Sequence, residues 1–312
     1  MNKETLLVTV PIEENQLKEL QEISDRLKVV TLDNWDKNCE DITIMYGWDK
    51  EVGNSILTSE DSQLKWLQAQ SAGVDHINQQ ALKEKNILLT NASGVHGHQM
   101  SESILGMIFA HTRGIKEAVL SQEKKTWSSP KNQSDLNGKK AMIVGTGHIG
   151  ERLAEILQVF QVEVTGVNRK GRQVPHFDHI VQQENIEEVI GEMDIVIGLL
   201  PDTKETHYFF NDELFSKMQD GVMFINAGRG GTAHTESLIK HCESQKIGFA
   251  GLDVFEVEPL PADSALWSLE NVLITPHSSG ATDQYYNRLF PIFVSNLKHF
   301  LDTSDVSVNK VN

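Results

Sequence analysis

Residues 137–160 constrain this chain more than any other stretch. Asn137-Gly138-Lys139-Lys140 reads as a turn, and Ala141-Met142-Ile143-Val144 is an apolar run as long as a buried parallel strand. Gly145-Thr146-Gly147-His148-Ile149-Gly150 follows, and 151–160 then carries Leu153, Ile156, Leu157 and Phe160 at helical spacing. Glycine turns are common, so the hexapeptide alone says little. Between a strand and a helix start it has a mechanism. Gly145 permits the tight turn, Gly147 lets a pyrophosphate approach the backbone, and Gly150 allows close helix–strand packing. The exposed N–H groups and dipole of the helix start favour phosphate. The stretch implies dinucleotide binding, with Gly145, Thr146, Gly147, His148 and Ile149 on the phosphate side.

The rest of the chain is compatible with that reading. Its 312 residues suggest about two domains. With 28 Lys and Arg against 44 Asp and Glu, the net charge of −16 repels nucleic acid and anionic membrane, so neither is an expected partner. Anionic small molecules are repelled too, so a site for them needs local positive charge. Cys39 and Cys242 form no motif and read as free thiols. No run approaches 18 apolar residues and 1–14 lacks a signal-peptide core, so a cytoplasmic location is expected.

Periodicity predicts strands at 6–10, 29–32, 42–46, 66–68 and 87–90. It predicts a helix at 13–27 with Leu17, Leu20, Ile23 and Leu27 inward, and a helical or turn segment at 75–83. The longest helical pattern is 100–119, with Ser101 as a cap and Ile104, Met107, Ile108 and Ile115 on one face. Beyond the glycine strand, further strands are expected at 162–167, 195–199, 222–226, 248–253 and 272–275. Helices fall at 186–190, 211–218 and 235–244. A last helix at 285–301 is expected to return to the first domain, and the tail 303–312 is polar. This alternation is α/β with two doubly wound parallel-sheet domains.

Three stretches fall at strand ends, where such sheets bind ligands. In Asn226-Ala227-Gly228-Arg229-Gly230-Gly231, an arginine between glycines offers a planar fork suited to a carboxylate, though a solvated loop arginine is equally open. Asp253, Glu256 and Glu258 crowd Gly251-Leu252-Asp253-Val254-Phe255-Glu256-Val257-Glu258-Pro259, which by itself reads as well as a surface acidic loop. His277, in Thr275-Pro276-His277-Ser278-Ser279-Gly280, reads by itself as structural. Paired with a carboxylate, an imidazole becomes a proton donor and acceptor for carbonyl and alcohol interconversion.

Along nearly its whole length the chain resembles the D-2-hydroxyacid dehydrogenases. The likeness runs through Ser71-Ala72-Gly73-Val74-Asp75-His76-Ile77, Gly145 to Gly150, Leu199-Leu200-Pro201-Asp202-Thr203-Lys204-Glu205-Thr206, Asn226 to Gly230, Leu252 to Pro259 and Pro276-His277. The resemblance implies a Rossmann nucleotide domain at 97–280 and a split, flavodoxin-like substrate domain at 1–96 and 281–312, with a cleft that closes on the ligands. It implies that Arg229, Glu258 and His277 are the catalytic set for reducing small 2-keto acids to (R)-2-hydroxy acids with NAD(P)H. Gly73 and Val74 would grip the substrate carboxylate beside Arg229 and His277. Asp253 would meet the nicotinamide carboxamide, and Pro201, Thr203, Thr206, Ala227 and Arg229 would line the cofactor's place. The face of 100–119 resembles the family's dimerisation region, so a homodimer is expected. Ser278-Ser279-Gly280 departs from the family, where a bulky residue more often follows the histidine, and this leaves the substrate open. A nucleotide-sensing interaction protein like the family's corepressor members is the alternative. Formate dehydrogenase is disfavoured because it lacks the Glu258 type of partner. Phosphoglycerate dehydrogenase is disfavoured by the lack of room for a regulatory domain.

Cofactor choice rests on Val167-Asn168-Arg169-Lys170-Gly171-Arg172. In NAD-specific folds an acid about 20 residues beyond the glycines binds the ribose 2′-OH. Here Val167 lies 17 residues beyond Gly150, Asn168 takes the acid's place, and Arg169, Lys170 and Arg172 follow. Asn168 and the fork of Arg169 can bond a 2′-phosphate that a carboxylate there would repel, so NADP(H) is the expected cofactor, with NAD(H) possible. His96 and His98 suggest a metal, but no cysteine or acid cluster completes a site, so none is expected. Trp48, Trp66 and Trp267 read as core or interface, while an aromatic near Trp48 could reach the cleft.

Overall fold

Short runs of β-branched and aliphatic residues set the strands, and alternation of their side chains sets two cores. The computed structural model describes residues 3–74, 76–130 and 133–312. The chain divides into two compact units, 3–95 with 282–312, and 96–281.

The first unit holds β1 (Glu4–Val8), α1 (Glu14–Glu22), β2 (Leu27–Thr31), β3 (Ile44–Tyr46), α2 (Lys50–Thr58), β4 (Trp66–Gln68), α3 (Gln79–Glu84) and β5 (Leu88–Thr90). The strands are parallel in the order β2-β1-β3-β4-β5, the flavodoxin-like winding. Leu6, Val8, Ile44, Tyr46 and Trp66 face one core, while Leu7, Met45, Leu67 and Leu89 face another built on Ile56, Leu82 and Ile87. That is the two-residue period of a sheet covered on both faces.

The second unit holds α4 (Gly97–Thr112), α5 (Ile115–Glu123), β6 (Lys140–Val144), α6 (His148–Val159), β7 (Glu163–Asn168), β8 (His179–Gln182) and β9 (Ile195–Gly198). It continues with α7 (Asp212–Lys217), β10 (Val222–Asn226), α8 (Thr235–Glu243), β11 (Ile247–Leu252) and β12 (Val272–Ile274). Its parallel sheet runs β12-β11-β10-β9-β6-β7-β8. The chain reverses direction of winding between β6 and β9, which opens a crevice at their carboxyl ends. Ala141, Ile143, Ile195, Ile197 and Ile225 pack under α4 and α6, and Met142, Val144, Val196 and Phe224 pack on the other face with Phe210, Phe215 and Leu238.

The final helix, α9 (Tyr285–Thr303), belongs to the first unit. Phe293 stacks on Tyr46 at 4.0 Å and on Trp66 at 5.3 Å, and Phe300 lies 5.4 Å from Trp66.

Several boundaries differ from the sequence expectation, each for a local reason. The helix expected at 13–27 stops at Glu22. A turn at Ser24 takes the Leu27 N–H on its carbonyl (3.0 Å), and Leu27 opens β2 instead. The single helix expected at 100–119 is two. Gly114 sits at φ +63°, and a side chain there would overlap the Pro130 ring, so the chain breaks and α5 restarts. Ser101 does not cap α4, which begins earlier; its hydroxyl donates to the Gly97 carbonyl at 2.7 Å. Ile115 lies outside the core on α5 and is half exposed. The helix expected at 186–190 is two 3₁₀ turns, Gln183–Glu188 and Ile190–Glu192. Helix α2 and strand β8 were not anticipated. Trp48 is buried in the first unit's core, its ring stacked where a side chain at Gly53 would go. Among the described residues no helix is long and apolar enough to cross a membrane.

Because Phe293 is fully buried between Tyr46 and Trp66, Phe293→Ala is expected to cost about 3–5 kcal/mol. Urea unfolding followed by tryptophan fluorescence measures this, and a loss below about 1 kcal/mol would show that α9 is not integral to the core.

Candidate active site

The glycine turn is built as its spacing requires. Gly145 has φ +112°, and a Cβ there would stand 2.9 Å from the Leu199 carbonyl oxygen. A Cβ on Gly150 would overlap the Gly145 carbonyl, so helix and strand are in backbone contact. At Gly147 nothing lies within 4 Å of such a Cβ. That open space lies beside the start of α6, which no side chain caps, and the N–H groups of His148, Ile149 and Gly150 have no acceptor among the described residues. Thr146 is buried, and its hydroxyl accepts from Asn168 Nδ2 at 3.1 Å.

Asn168 is more constrained than the sequence implied. Its Nδ2 donates to Thr146 Oγ1 and to the Arg172 carbonyl (2.8 Å), while its Oδ1 accepts the N–H groups of Lys170 (3.3 Å) and Arg172 (2.9 Å). Both amide hydrogens are used, so Asn168 builds the turn and is not free to donate to a ligand. With Gly171 at φ +63°, the turn leaves Arg169, Lys170 and Arg172 exposed. None of the three makes an ion pair among the described residues.

The loop after β9 folds on its own hydroxyls. Thr206 Oγ1 donates to the Pro201 carbonyl (2.5 Å) and accepts from the Thr203 N–H (2.8 Å), so Thr206 is buried in the loop while Pro201 is exposed. A Thr203 hydrogen bond, aided by the Arg169 charge, holds the Glu205 carboxyl below the usual carboxylate range.

After β10 the backbone runs through a tight space. Ala227 is buried and bonds to the Gly198 carbonyl (3.2 Å). A Cβ on Gly228 would come within 2.6 Å of the Leu200 oxygen, and one on Gly230 would overlap the Phe255 carbonyl. Between these glycines Arg229 is exposed, with Nη1 on the Gly228 carbonyl at 2.8 Å and its other donors unbonded among the described residues. His96 lies in its field. Burial and the Arg229 guanidinium push the His96 imidazole below its ordinary range, and a Cβ on Gly280 would stand 3.1 Å from its ring. Sequence reasoning had set His96 aside; its proximity to Arg229 is tertiary and has no local signal.

His277 and Glu258 are brought together. His277 Nδ1 lies 2.7 Å from Glu258 Oε2, and Glu258 Oε1 accepts the Phe255 N–H at 2.9 Å. A carboxylate on Nδ1 leaves Nε2 as the outward ring atom. His277 is held at φ +51°, a left-handed conformation rare for a histidine, with its N–H bonded to the carbonyls of Asp253 (2.8 Å) and Thr275 (3.0 Å). Half of its side chain is exposed (49%), so the ring is accessible.

Asp253 differs from expectation. It is fully buried and accepts from Thr275 Oγ1 (2.6 Å), the Ser278 N–H (2.9 Å), the Ser279 N–H (3.1 Å) and Ser279 Oγ (2.5 Å). Those donors saturate the carboxylate, so Asp253 shapes the histidine loop instead of offering itself to a nicotinamide. Ser278 and Ser279, the departure from the family pattern, are two of its partners.

Gly73 and Val74 lie in the first unit. Their loop is tied by Ser71 Oγ to the Gly73 carbonyl (2.7 Å), by Asn91 Nδ2 to the Ala72 carbonyl (2.9 Å) and by Tyr285 to the Gln70 carbonyl (2.5 Å). Among the described residues their N–H groups have no acceptor. Asp75 of the same motif lies outside the described residues. Among the described residues no group of three or more His, Cys, Asp or Glu is placed to hold a metal.

Comparison with known proteins places this geometry. Residues 105–279 match the family described as D-isomer specific 2-hydroxyacid dehydrogenase, NAD binding domain. The hydroxypyruvate reductase of Thermotoga maritima is 31% identical over 293 residues, covering 93% of this chain and 89% of that protein. Glyoxylate/hydroxypyruvate reductase B of Escherichia fergusonii is 31% identical over 274 residues, 86% of this chain and 84% of the relative. The crystal structure of a D-isomer specific 2-hydroxyacid dehydrogenase family protein from Aeromonas salmonicida subsp. salmonicida aligns over 100% of this chain and 99% of its own, at 30% identity and a TM-score of 0.84. The chain belongs to the D-isomer specific 2-hydroxyacid dehydrogenase family, whose members are NAD(P)-dependent oxidoreductases.

Proposed function

We propose that this enzyme reduces small 2-keto acids to (R)-2-hydroxy acids and prefers NADPH. The observation that carries the reading is the 2.7 Å contact between His277 Nδ1 and Glu258 in a loop held beside Arg229's. A dinucleotide fits the glycine turn: there is open space at Gly147, and the first-turn N–H groups of α6 suit a pyrophosphate. Gly145, Thr146, Gly147, His148, Ile149, Pro201, Thr203 and Ala227 would surround it. The reduced nicotinamide supplies hydride when bound.

The residues of the chain do the rest. Arg229 takes the substrate carboxylate on its planar fork and polarises the 2-keto oxygen. Glu258 holds the His277 tautomer, and Nε2 gives its proton to the oxygen that becomes the hydroxyl. Gly73 and Val74, whose N–H groups have no acceptor among the described residues, are further substrate-binding candidates. The names of the Thermotoga and Escherichia relatives favour glyoxylate and hydroxypyruvate as first substrates. His277→Ala should lower kcat by about 10²–10⁴ with little change in cofactor affinity. Turnover at the unmodified rate would remove His277 from the mechanism. Cofactor binding without turnover of any 2-keto acid by the unmodified protein would favour the nucleotide-sensing alternative.

Cofactor preference follows from Arg169, Lys170 and Arg172, three exposed cations on the turn that Asn168 holds. Arg169 and Arg172 would serve a 2′-phosphate as charged donors, and no acid stands among 168–172 to oppose it. Losing one charged hydrogen bond weakens binding about 10- to 100-fold. Arg169→Ala is expected to do this to NADPH and to leave NADH nearly unchanged in fluorescence titration. Equal or better kcat/KM with NADH in the unmodified protein would contradict the preference.

A homodimer is the expected assembly, through the α5 end of the 100–119 stretch and not its α4 part. Ile104, Met107 and Ile108 are buried within their own unit, whereas α5 buries no residue and exposes Ile115, Val119 and Leu120. Trp127, in the segment after α5, is also fully exposed. Apolar side chains grouped this way suit a second copy. Sedimentation should give a dimer mass at micromolar concentration and a monomer for Val119→Asp with Trp127→Ser; a monomeric unmodified protein would refute the assembly.

A further inference from the structure

Three loops are stacked in backbone contact at the carboxyl ends of β9, β10 and β11. The middle one, 227–231, carries Arg229. On one side Gly228 faces the Leu200 backbone and Gly231 faces the Asp202 carboxylate, where a Cβ would overlap. The Tyr208 N–H donates to the Gly231 carbonyl at 2.8 Å, and the Phe210 N–H to the Thr232 carbonyl at 2.9 Å. On the other side Gly230 lies against the Phe255 carbonyl. The outer loops are joined over this layer by one side-chain bond, from the Tyr208 hydroxyl to Glu256 Oε2 at 2.8 Å.

Glu256 is otherwise committed. Its Oε1 accepts the Thr235 N–H at the start of α8 (2.5 Å), so both oxygens are held and neither serves His277. One residue back, the Phe255 N–H holds Glu258 Oε1, and Glu258 Oε2 holds the imidazole. The Tyr208 ring sits between His207 (3.9 Å between centroids) and His234 (4.9 Å), and its own backbone is left-handed, at φ +54°. A partly exposed tyrosine kept in that conformation is fixed on several sides.

We infer that Tyr208 and Glu256 are positioning residues: their hydrogen bond clamps the Arg229 loop between the loop that carries Pro201 to Thr206 and the loop that carries Glu258. The clamp links the cofactor side of the site to the group that orients His277. This inference rests on the proposed roles of Arg229, Glu258 and His277, and neither Tyr208 nor Glu256 touches substrate in it. A clamp of this kind has physical content only if breaking it loosens the Arg229 and Glu258 loops that it holds.

Tyr208→Phe removes the hydroxyl and keeps the ring. Two measurements on the full chain test the clamp. In hydrogen exchange without cofactor, amides at 229–232 and 254–258 should exchange several-fold faster, while those of β6 and β10 stay protected. In steady-state assays with NADPH and glyoxylate, kcat should fall about 3- to 10-fold, the worth of a hydrogen bond to a charged group near the surface, while the NADPH dissociation constant changes less than about twofold. Glu256→Ala should reproduce both effects, and Tyr208→Phe added to it should do little more. Unchanged exchange at both segments overturns the clamp, as does faster exchange spread through the whole sheet, which marks ordinary loss of stability. If the unmodified enzyme fails to turn over any 2-keto acid, the functional reading fails, and the exchange data still decide whether the clamp exists.

Discussion

The site depends on a buried carboxylate. Asp253 has no exposed surface, and a polar group taken out of water must find its hydrogen bonds inside the protein. Two hydroxyls and two backbone N–H groups from 275–279 meet that need. Satisfying it forces the chain after β12 into a loop wrapped around the end of β11, with His277 in the left-handed region. The histidine's direction is therefore decided by a neighbour that does not touch its ring. Glu258 then fixes the ring itself. The conformational cost of a left-handed histidine, about 1–3 kcal/mol, is offset by the bonds around Asp253.

Backbone proximity is the second constraint. Gly145, Gly150, Gly228, Gly230 and Gly231 all stand where a Cβ would meet a backbone or carboxylate oxygen; three of them, Gly145, Gly228 and Gly231, meet the segment 199–202, Gly230 meets Phe255, and Gly150 meets its own turn at Gly145. Gly147 is the exception, facing open space. Glycine thus serves two purposes here: packing chain against chain, and keeping a surface bare for a ligand. Sequence spacing alone does not separate them.

Much of this was legible from residues. Strands at Trp66–Gln68 and Val222–Asn226 have the expected bounds. The return of α9 to the first unit followed from its apolar face. Arg229 and His277 drew notice at strand ends, but the residues alone left each reading open, and it is the family resemblance that grouped them with Glu258. What was missed has tertiary causes. The break at Gly114 is set by Pro130, 16 positions on in the chain, and β8 is a short, half-buried edge strand whose sequence has no strong period. Asn168 is bonded to Thr146 and Arg172, and Asp253 to Thr275 and the serines, engagements that neither residue type nor resemblance foretells. A polar side chain read in isolation looks available, and only its neighbours show that it is already bonded. Tyr208 and Glu256 carry no motif at all.

The return of α9 has a consequence for how the protein is made. Tyr46 and Trp66 emerge early in synthesis, yet the rings that cover them, Phe293 and Phe300, belong to the last helix. At ordinary ribosomal speeds the interval is roughly 10–50 s. The second unit is continuous, so it can finish folding within that time. The first must wait with one face of its sheet covered only in part, by α1. During biosynthesis it is this sheet, and not the nucleotide-binding unit, that most needs shelter from other chains, and a nascent chain stopped before α9 would present an aromatic surface with nothing of its own to close it.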